Sequence, residues 1–137
     1  MFLGEYQHSL DAKGRVILPS KYRARFAEGL VLTKGQENCL YVYPREEWDR
    51  VADALSRQAD RNVARHFFSG SSEDSPDGQG RVGVPEPLRS YASLSKDVTV
   101  IGNGNRMEIW SRDRWAEHRE STESAYSAME DTPDVRF

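Results

Sequence analysis

The chain has 137 residues, of which 37% are hydrophobic and 30% charged, with a formal net charge of -3 at pH 7. This composition is typical of a compact globular domain, and no apolar run approaches the roughly 20 residues that a membrane-spanning helix requires. One cysteine, Cys39, excludes an internal disulfide and is interpreted as a small strand residue, and the three scattered histidines lack metal-ligand spacing. The N-terminus shows no basic segment followed by an apolar one, so we expect no secretory signal and a cytoplasmic location.

The first predicted elements are two short strands joined by a turn. Residues 5–10 and 16–18 have strand-like patterns, and residues 11–15 lie between them. Gly14 stands where a tight turn often needs a positive φ, and the Asp11 carboxylate can accept hydrogen bonds from the turn backbone. The sequence therefore predicts a strand-turn-strand corner.

A short helix, two further strands and a long helix follow the corner. Residues 20–26 suit a helix capped by Ser20, and residues 30–33 and 40–43 predict strands. From residue 44, apolar side chains at three- and four-residue spacing predict one long helix. They are Trp48, Val51, Ala52, Leu55, Ala59, Val63 and Phe67. We interpret this stripe as core packing, with a partner-binding face as the alternative.

The corner returns 66 positions later. Residues 11–19 read DAKGRVILP, and residues 77–85 read DGQGRVGVP. Arg23 and Arg89 match at the same offset, and a second set of helix and strand patterns follows, with a last helix predicted from Ser111. Two such strings in phase indicate an internal repeat. We divide the chain into repeat 1 (5–47), a connecting helix and polar linker (48–75), repeat 2 (76–119) and an acidic C-terminal tail (120–137).

Two units of this size are too small to bury separate cores, so we expect them to pair. Interlocked strands would form one β-barrel with an internal pseudo-twofold axis and with helices on its outside, which also protects the strand edges. The predicted fold class is α+β, mainly β. Exposed aromatic residues on the helices of a repeat-built protomer predict a homo-oligomer.

Positive charge is concentrated in the first repeat. Residues 11–25 carry five cations and one anion, whereas residues 116–137 carry two cations and six anions. The local distribution of charge governs binding to nucleic acid more than the net charge does. We interpret the acidic tail as a solvating segment, with shielding of the basic corner as the alternative.

A turn that projects Lys13 and Arg15 presents two cations to a ligand. A guanidinium can fork onto phosphate or onto O6 and N7 of guanine, and a two-stranded ribbon fits the major groove of DNA. Alternatively, Asp11 pairs with Arg15, and Asp77 with Arg81, to lock each turn. Both interpretations hold together if each aspartate orients an arginine that contacts DNA.

The two copies differ in charge. The cations Lys13, Lys21 and Arg25 of the first copy are replaced by Gln79, Pro87 and Tyr91, and residues 73–77 before the second turn are acidic. Because phosphate repels acids, we expect the first repeat to supply most of the DNA-binding energy. Gly83 stands where the first copy has Ile17, which either weakens that strand or permits a close backbone approach.

Three segments together resemble one family. They are the doubled motif, the opening residues FLGEY (2–6) and the segment GNGNRMEIW (102–110). They are similar to MraZ, a family of bacterial transcriptional regulators built from two tandem SpoVT-AbrB (swapped-hairpin) domains, and the resemblance covers residues 1–119. It implies a double-split β-barrel and a ring-shaped homo-oligomer that binds double-stranded promoter DNA at the nucleoid. It also implies repression of the protein's own promoter and of the adjacent division and cell-wall gene cluster through short repeated sites.

The candidate residues follow from the motif and the resemblance. The DNA-binding set is Lys13, Arg15, Lys21, Arg23 and Arg81, and the motif supports are Asp11, Gly14, Asp77 and Gly80. No catalytic constellation is visible, so we expect no enzyme, no cofactor and no small-molecule substrate. The alternative function is an antitoxin-like swapped-hairpin module that binds a protein partner through its acidic tail. The duplication favours the regulator.

Overall fold

The computed structural model describes residues 1–137 and contains eight strands and four α-helices. The strands are β1 (Glu5–Ser9), β2 (Arg15–Ile17), β3 (Leu30–Lys34), β4 (Leu40–Pro44), β5 (Ser72–Asp74), β6 (Arg81–Gly83), β7 (Asp97–Asn103) and β8 (Arg106–Ser111). The helices are α1 (Arg45–Gln58), α2 (Arg61–Ser69), α3 (Glu86–Tyr91) and α4 (Arg112–Ser127), with short 3-10 helices at Ser20–Phe26 and Gln36–Asn38. The strand-turn-strand corner of the first repeat, the turn and following strand of the second, and the predicted last helix are confirmed.

Three local predictions are wrong. The apolar stripe does not form one long helix, because Asp60 starts a second one by accepting hydrogen bonds from the backbone N–H groups of Asn62 (2.8 Å) and Val63 (2.9 Å). Aspartate is a favoured residue at this position. Ser20 makes no capping hydrogen bond, and Pro19 occupies the N-cap of the 3-10 helix. The predicted polar linker contains β5, which occupies in the second half the place that β1 has in the first.

The strands of the two halves pair with each other. A six-stranded antiparallel sheet has the order β1-β7-β8-β4-β3-β5, and β2 and β6 form a separate two-stranded ribbon. β1 pairs with β7, β5 pairs with β3, and the ribbon takes one strand from each half. The six-stranded sheet is not closed, because β1 and β5 each have one neighbour, so a complete barrel is not confirmed. The fold is a mixed α+β structure with mostly antiparallel strands.

The hydrophobic core lies between the six-stranded sheet and the ribbon. Alternate residues of the four central strands face it, namely Leu30, Leu32, Leu40, Val42, Val98, Val100, Met107 and Ile109. Val16 and Val82, paired in the ribbon, close the core from the other side and are buried. Each fully buried side chain of this kind contributes about 1.5–3 kcal/mol. The ribbon is therefore anchored by its valines, and its other face is left for solvent or a ligand.

The four-residue spacing of apolar side chains is explained by helices that cover the other face of the sheet. α1 and α2 lie against β3 and β4, while α4 lies against β7 and β8. The Trp48 ring stacks on Phe67 with centroids 5.1 Å apart, and Trp110 meets Trp115 edge-on at 5.3 Å. Packing thus accounts for the centre of the apolar stripe, although Val63 remains 51% exposed.

Candidate nucleic-acid interface

The first turn is built around one carboxylate. Asp11 Oδ1 accepts hydrogen bonds from the backbone N–H groups of Lys13 and Arg15, both at 2.9 Å, and Asp11 Oδ2 accepts from Arg15 Nε at 2.8 Å. Gly14 takes a φ of +73°, which glycine adopts without the steric cost that other residues meet. The backbone hydrogen bond from Arg15, followed by the other contacts of Arg15 and Lys13, holds the pKa of the Asp11 carboxyl below its usual range.

The second turn repeats this geometry closely. Asp77 Oδ1 accepts from the N–H groups of Gln79 (2.9 Å) and Arg81 (3.0 Å), and Asp77 Oδ2 accepts from Arg81 Nε at 2.7 Å. Gly80 has a φ of +79°. The backbone and side-chain hydrogen bonds from Arg81 lower the pKa of Asp77 to about 2. The interpretation that each aspartate pairs with its arginine to lock the turn is therefore confirmed at both sites.

The locking leaves each arginine able to bind a ligand. Arg15 and Arg81 use Nε for the aspartate, and neither terminal nitrogen has a hydrogen-bond partner within the protein. Both side chains are 29% exposed. Because the carboxylate holds the guanidinium in one orientation, the free edge of each arginine is presented to solvent in advance of binding.

The ribbon brings the two arginines onto one face. In its register Arg15 lies opposite Gly83, Val16 opposite Val82 and Ile17 opposite Arg81. Since successive side chains point to opposite faces of a strand, the valines enter the core while Arg15, Ile17 and Arg81 share the outer face. A Cβ on Gly83 would meet only Asp74 Oδ2, at 3.7 Å, so no close backbone approach requires this glycine. Its effect is to leave Arg15 with no side chain across the ribbon.

The remaining predicted cations lie around this face with different exposure. Lys13 is exposed on the first turn, and Lys21 is exposed on the 3-10 helix, with Nζ 5.1 Å from the Tyr22 ring centroid. Arg23 is half-buried and lies over the second turn. Arg25 is paired with a carboxylate instead, because its Nη2 lies 3.5 Å from Glu46 Oε1.

Two residues beside the turns were missed by sequence reasoning. A cleft of about 500 Å³ beside the first turn is lined by charged residues of both halves, Asp11, Arg89 and Lys96. Arg89 was visible as a match to Arg23, but nothing in its local sequence shows that it reaches the first turn. Lys96 precedes β7 and carries no motif.

The surroundings of the second half are more acidic. A cleft of about 310 Å³ beside β5 is lined by Glu28, Arg45, Glu73 and Asp74, three acids and one base. Arg45 and Glu73 form an ion pair at 3.1 Å, and Asp74 Oδ2 accepts a hydrogen bond from the Gly83 N–H at 2.8 Å. The difference in charge seen in the sequence therefore persists around the folded ribbon.

A buried carboxylate on the far side of the sheet is structural. Glu108 is 5% exposed and accepts hydrogen bonds from Trp110 Nε1 (3.0 Å), Asn103 Nδ2 (2.9 Å) and Arg106 Nη2 (2.8 Å). Cys39 Sγ lies 3.8 Å from the same carboxylate, and burial with this neighbouring charge raises the pKa of the thiol. Both groups are held in a saturated network, which disfavours a nucleophilic role.

Two further kinds of site have no counterpart in the structure. No three histidine, cysteine, aspartate or glutamate side chains are grouped as metal ligands would be. No helix combines the length and the apolar surface that a bilayer crossing demands.

Comparison with known proteins points to one family. The sequence profile described as "MraZ protein, putative antitoxin-like" matches residues 1–66 and again residues 67–136. The transcriptional regulator MraZ of Micrococcus luteus is 50% identical over 137 residues, covering 96% of this chain and 95% of that protein. The proteins of the same name from Paenarthrobacter aurescens and Heliobacterium modesticaldum are 47% identical (96% and 95% covered) and 46% identical (94% of each chain covered). With matches over both halves and relatives named as transcriptional regulators, the chain belongs to the MraZ family.

Proposed function

We propose that this protein is a sequence-specific DNA-binding regulator that represses its own promoter and the adjacent division and cell-wall gene cluster. The observation that carries the proposal is the outer face of the ribbon, where Arg15 and Arg81 are each oriented by an aspartate and keep free terminal nitrogens. The regulator name of the relatives supports it. Such a protein would act in the cytoplasm, at the nucleoid.

The ribbon has the shape that this function requires. A two-stranded ribbon fits the major groove, where an arginine can donate two hydrogen bonds to O6 and N7 of guanine. Lys13 and Lys21 flank the ribbon from exposed positions and would contact phosphates. Arg23 is half-buried over the second turn and is less accessible to a phosphate than the two lysines.

The pairing of strands between the two halves supports the swapped-hairpin architecture implied by the family. In this interpretation the two exchanged hairpins form a double-split barrel, and the helices on the outer face of the sheet are available to neighbouring copies. One protomer would make three or four phosphate contacts and bind weakly. A ring that places several ribbons on repeated promoter sites would gain affinity through the high effective concentration of the second and later ribbons.

The first half is expected to dominate DNA binding. Lys13 is exposed on the first turn, and Lys96 of the second repeat adds positive charge to the cleft beside that turn, whereas three acids line the cleft beside β5. Each phosphate neutralised by a cation adds affinity that decreases with salt.

The test is fluorescence anisotropy with duplex DNA from upstream of the protein's own gene, over a salt series. Arg15→Ala should weaken specific binding by about tenfold or more, and Arg81→Ala should weaken it by less. Arg57→Ala is the matched control, since this exposed arginine on α1 pairs with Asp53 and lies on the covered side of the sheet. Equal losses at Arg15 and Arg81 would contradict the predicted asymmetry, and absence of binding by the folded wild type would contradict the function.

A second candidate is an antitoxin-like module, which the description of the matching family as putative antitoxin-like favours. The acidic tail 120–137, whose first eight residues belong to α4, is exposed throughout and would wrap a basic protein partner. Purification of a stable complex with one small protein would support this alternative, and purification as a homo-oligomer without a partner would support the regulator.

A further inference from the structure

We propose that Arg23 and Arg89 are positioning residues, each of which holds the DNA-facing turn of the other repeat. The inference rests on the proposed function for its consequence, but its geometry is independent of DNA. In this proposal Arg23 holds the second turn instead of contacting DNA directly, and Arg89, which lies in the second repeat, holds the first turn.

Arg89 braces the first turn from the second repeat. Its guanidinium lies against Gly14, and a Cβ added to that glycine would come within 2.9 Å of Arg89 Cζ. Arg89 Nη1 donates a hydrogen bond to the Val84 carbonyl, and the Val84 N–H donates to the Gly14 carbonyl at 2.9 Å. The guanidinium, the backbone of Val84 and the turn are therefore linked in one chain of contacts.

Arg23 makes the same contact in the opposite direction. A Cβ on Gly80 would come within 2.9 Å of Arg23 Cδ and still closer to its guanidinium, and the Leu18 N–H donates to the Gly80 carbonyl at 3.0 Å. Arg23 Nε is buried and has no hydrogen-bond partner. Packing against the bare glycine, rather than a hydrogen bond at Nε, holds this side chain beside the turn.

The crossing of the two contacts follows from the ribbon. Because β2 and β6 run antiparallel, each turn lies beside the segment that leaves the other strand, and that segment carries the matched arginine. Glycine serves both the positive φ and the space for the guanidinium. A turn that is already held loses less conformational freedom when it meets DNA, and this raises affinity without a new contact.

Direct phosphate contact is the competing role, and the affinity of a lysine variant separates the two, because phosphate contact predicts retained affinity and positioning predicts its loss. Loss of one phosphate contact reduces the slope of log K against log salt by about 0.9, whereas loss of a positioning residue lowers affinity at nearly constant slope. Arg→Lys retains a cation for phosphate but loses the flat guanidinium over glycine.

The experiment uses the full-length protein with Arg89→Lys, Arg23→Lys and double variants with Arg15→Ala and Arg81→Ala. We expect Arg89→Lys to lower affinity for the promoter duplex about threefold to tenfold at an unchanged salt slope and to be non-additive with Arg15→Ala but additive with Arg81→Ala. Arg23→Lys should show the reverse pattern, non-additive with Arg81→Ala and additive with Arg15→Ala. Full retention of affinity by the lysine variants, or coupling within one repeat instead of across repeats, would overturn the proposal.

Amide hydrogen exchange of the protein without DNA provides a readout that does not depend on the proposed function. Arg89→Lys should speed exchange at residues 11–15 and leave residues 77–81 unchanged, and Arg23→Lys should do the reverse. Equal acceleration at both turns would indicate general destabilisation, and no acceleration would indicate that the arginines do not hold the turns. Either result would overturn the proposal. If the wild type fails to bind DNA while the crossed exchange pattern appears, the proposed DNA-binding function is wrong, and the proposal that each arginine holds the turn of the other repeat is still supported.

Discussion

Alanine in place of Gly80 should destabilise the fold, whereas alanine in place of Gly78, two residues earlier in the same turn, should not. Gly80 has a φ of +79°, and a Cβ there would displace Arg23. Gly78 has nothing within 4 Å of an added Cβ, and the first turn carries Ala12 at the matching position. The pair therefore compares the same chemical change in two conformations of one turn.

The magnitude follows from three contributions at Gly80. A left-handed conformation costs an L-residue about 1–2 kcal/mol. The alanine recovers about 0.4–1 kcal/mol by restricting the unfolded chain, and this part is common to both variants. Displacement of the Arg23 guanidinium adds a further cost, which is limited because the side chain is flexible. We expect Gly80→Ala to lose about 1–2 kcal/mol and Gly78→Ala to gain about 0.4–1 kcal/mol, a difference of about 2 kcal/mol.

Urea unfolding followed by tryptophan fluorescence measures this difference. Wild type and the two alanine variants are compared at one protein concentration, because any self-association would make the midpoint depend on concentration. An unchanged m-value would show that the effect lies in stability rather than in compactness. Equal midpoints for the two alanine variants would refute the reasoning, since neither the positive φ nor the packed arginine would then matter.

Other predictions concern the sheet, the turns and the helix start. Glu108→Leu should cost about 1–3 kcal/mol in urea unfolding, because Arg106 and Trp110 lose a buried acceptor; a neutral result would contradict the structural role. The Asp77→Asn variant should be less stable than wild type above about pH 4, and this deficit in the free energy of unfolding should narrow as pH falls toward 2. The reason is that the low pKa of Asp77 in the folded state stabilises the fold only while the carboxyl is ionised. A deficit that does not change with pH would contradict this role of Asp77. Asp60→Ala should cost about 1 kcal/mol and lower helicity by circular dichroism, and unchanged helicity would contradict capping.

The turns were predictable from sequence because their chemistry is local. Asp11, Gly14 and Arg15 lie within five positions, and the carboxylate, the positive φ and the guanidinium act on that short segment alone. Because the same string recurs 66 positions later, the sequence also predicted a second turn of the same kind.

β5 was missed because its three residues, Ser72, Glu73 and Asp74, carry none of the apolar alternation that marks a strand. Its strand character comes from hydrogen bonding to β3, a partner about 40 positions away. The break before α2 had a local signal, since Asp60 is a favoured capping residue, but the continuing apolar period outweighed it. These errors arose where backbone pairing or one capping group overrode a side-chain pattern.

Turn chemistry and the uneven charge were therefore readable in the linear order of residues, because each depends on neighbours a few positions apart, and the repeat number was readable because the same string recurs. The pairing of each half with the other, the placement of Arg15 and Arg81 on one face and the reach of Arg89 to Gly14 depend on residues about 40 to 96 positions apart. Such contacts form only when burial of the shared core outweighs the entropy lost in closing a long loop. The candidate residues could therefore be identified from the sequence, whereas their position on one common surface is decided by the tertiary structure.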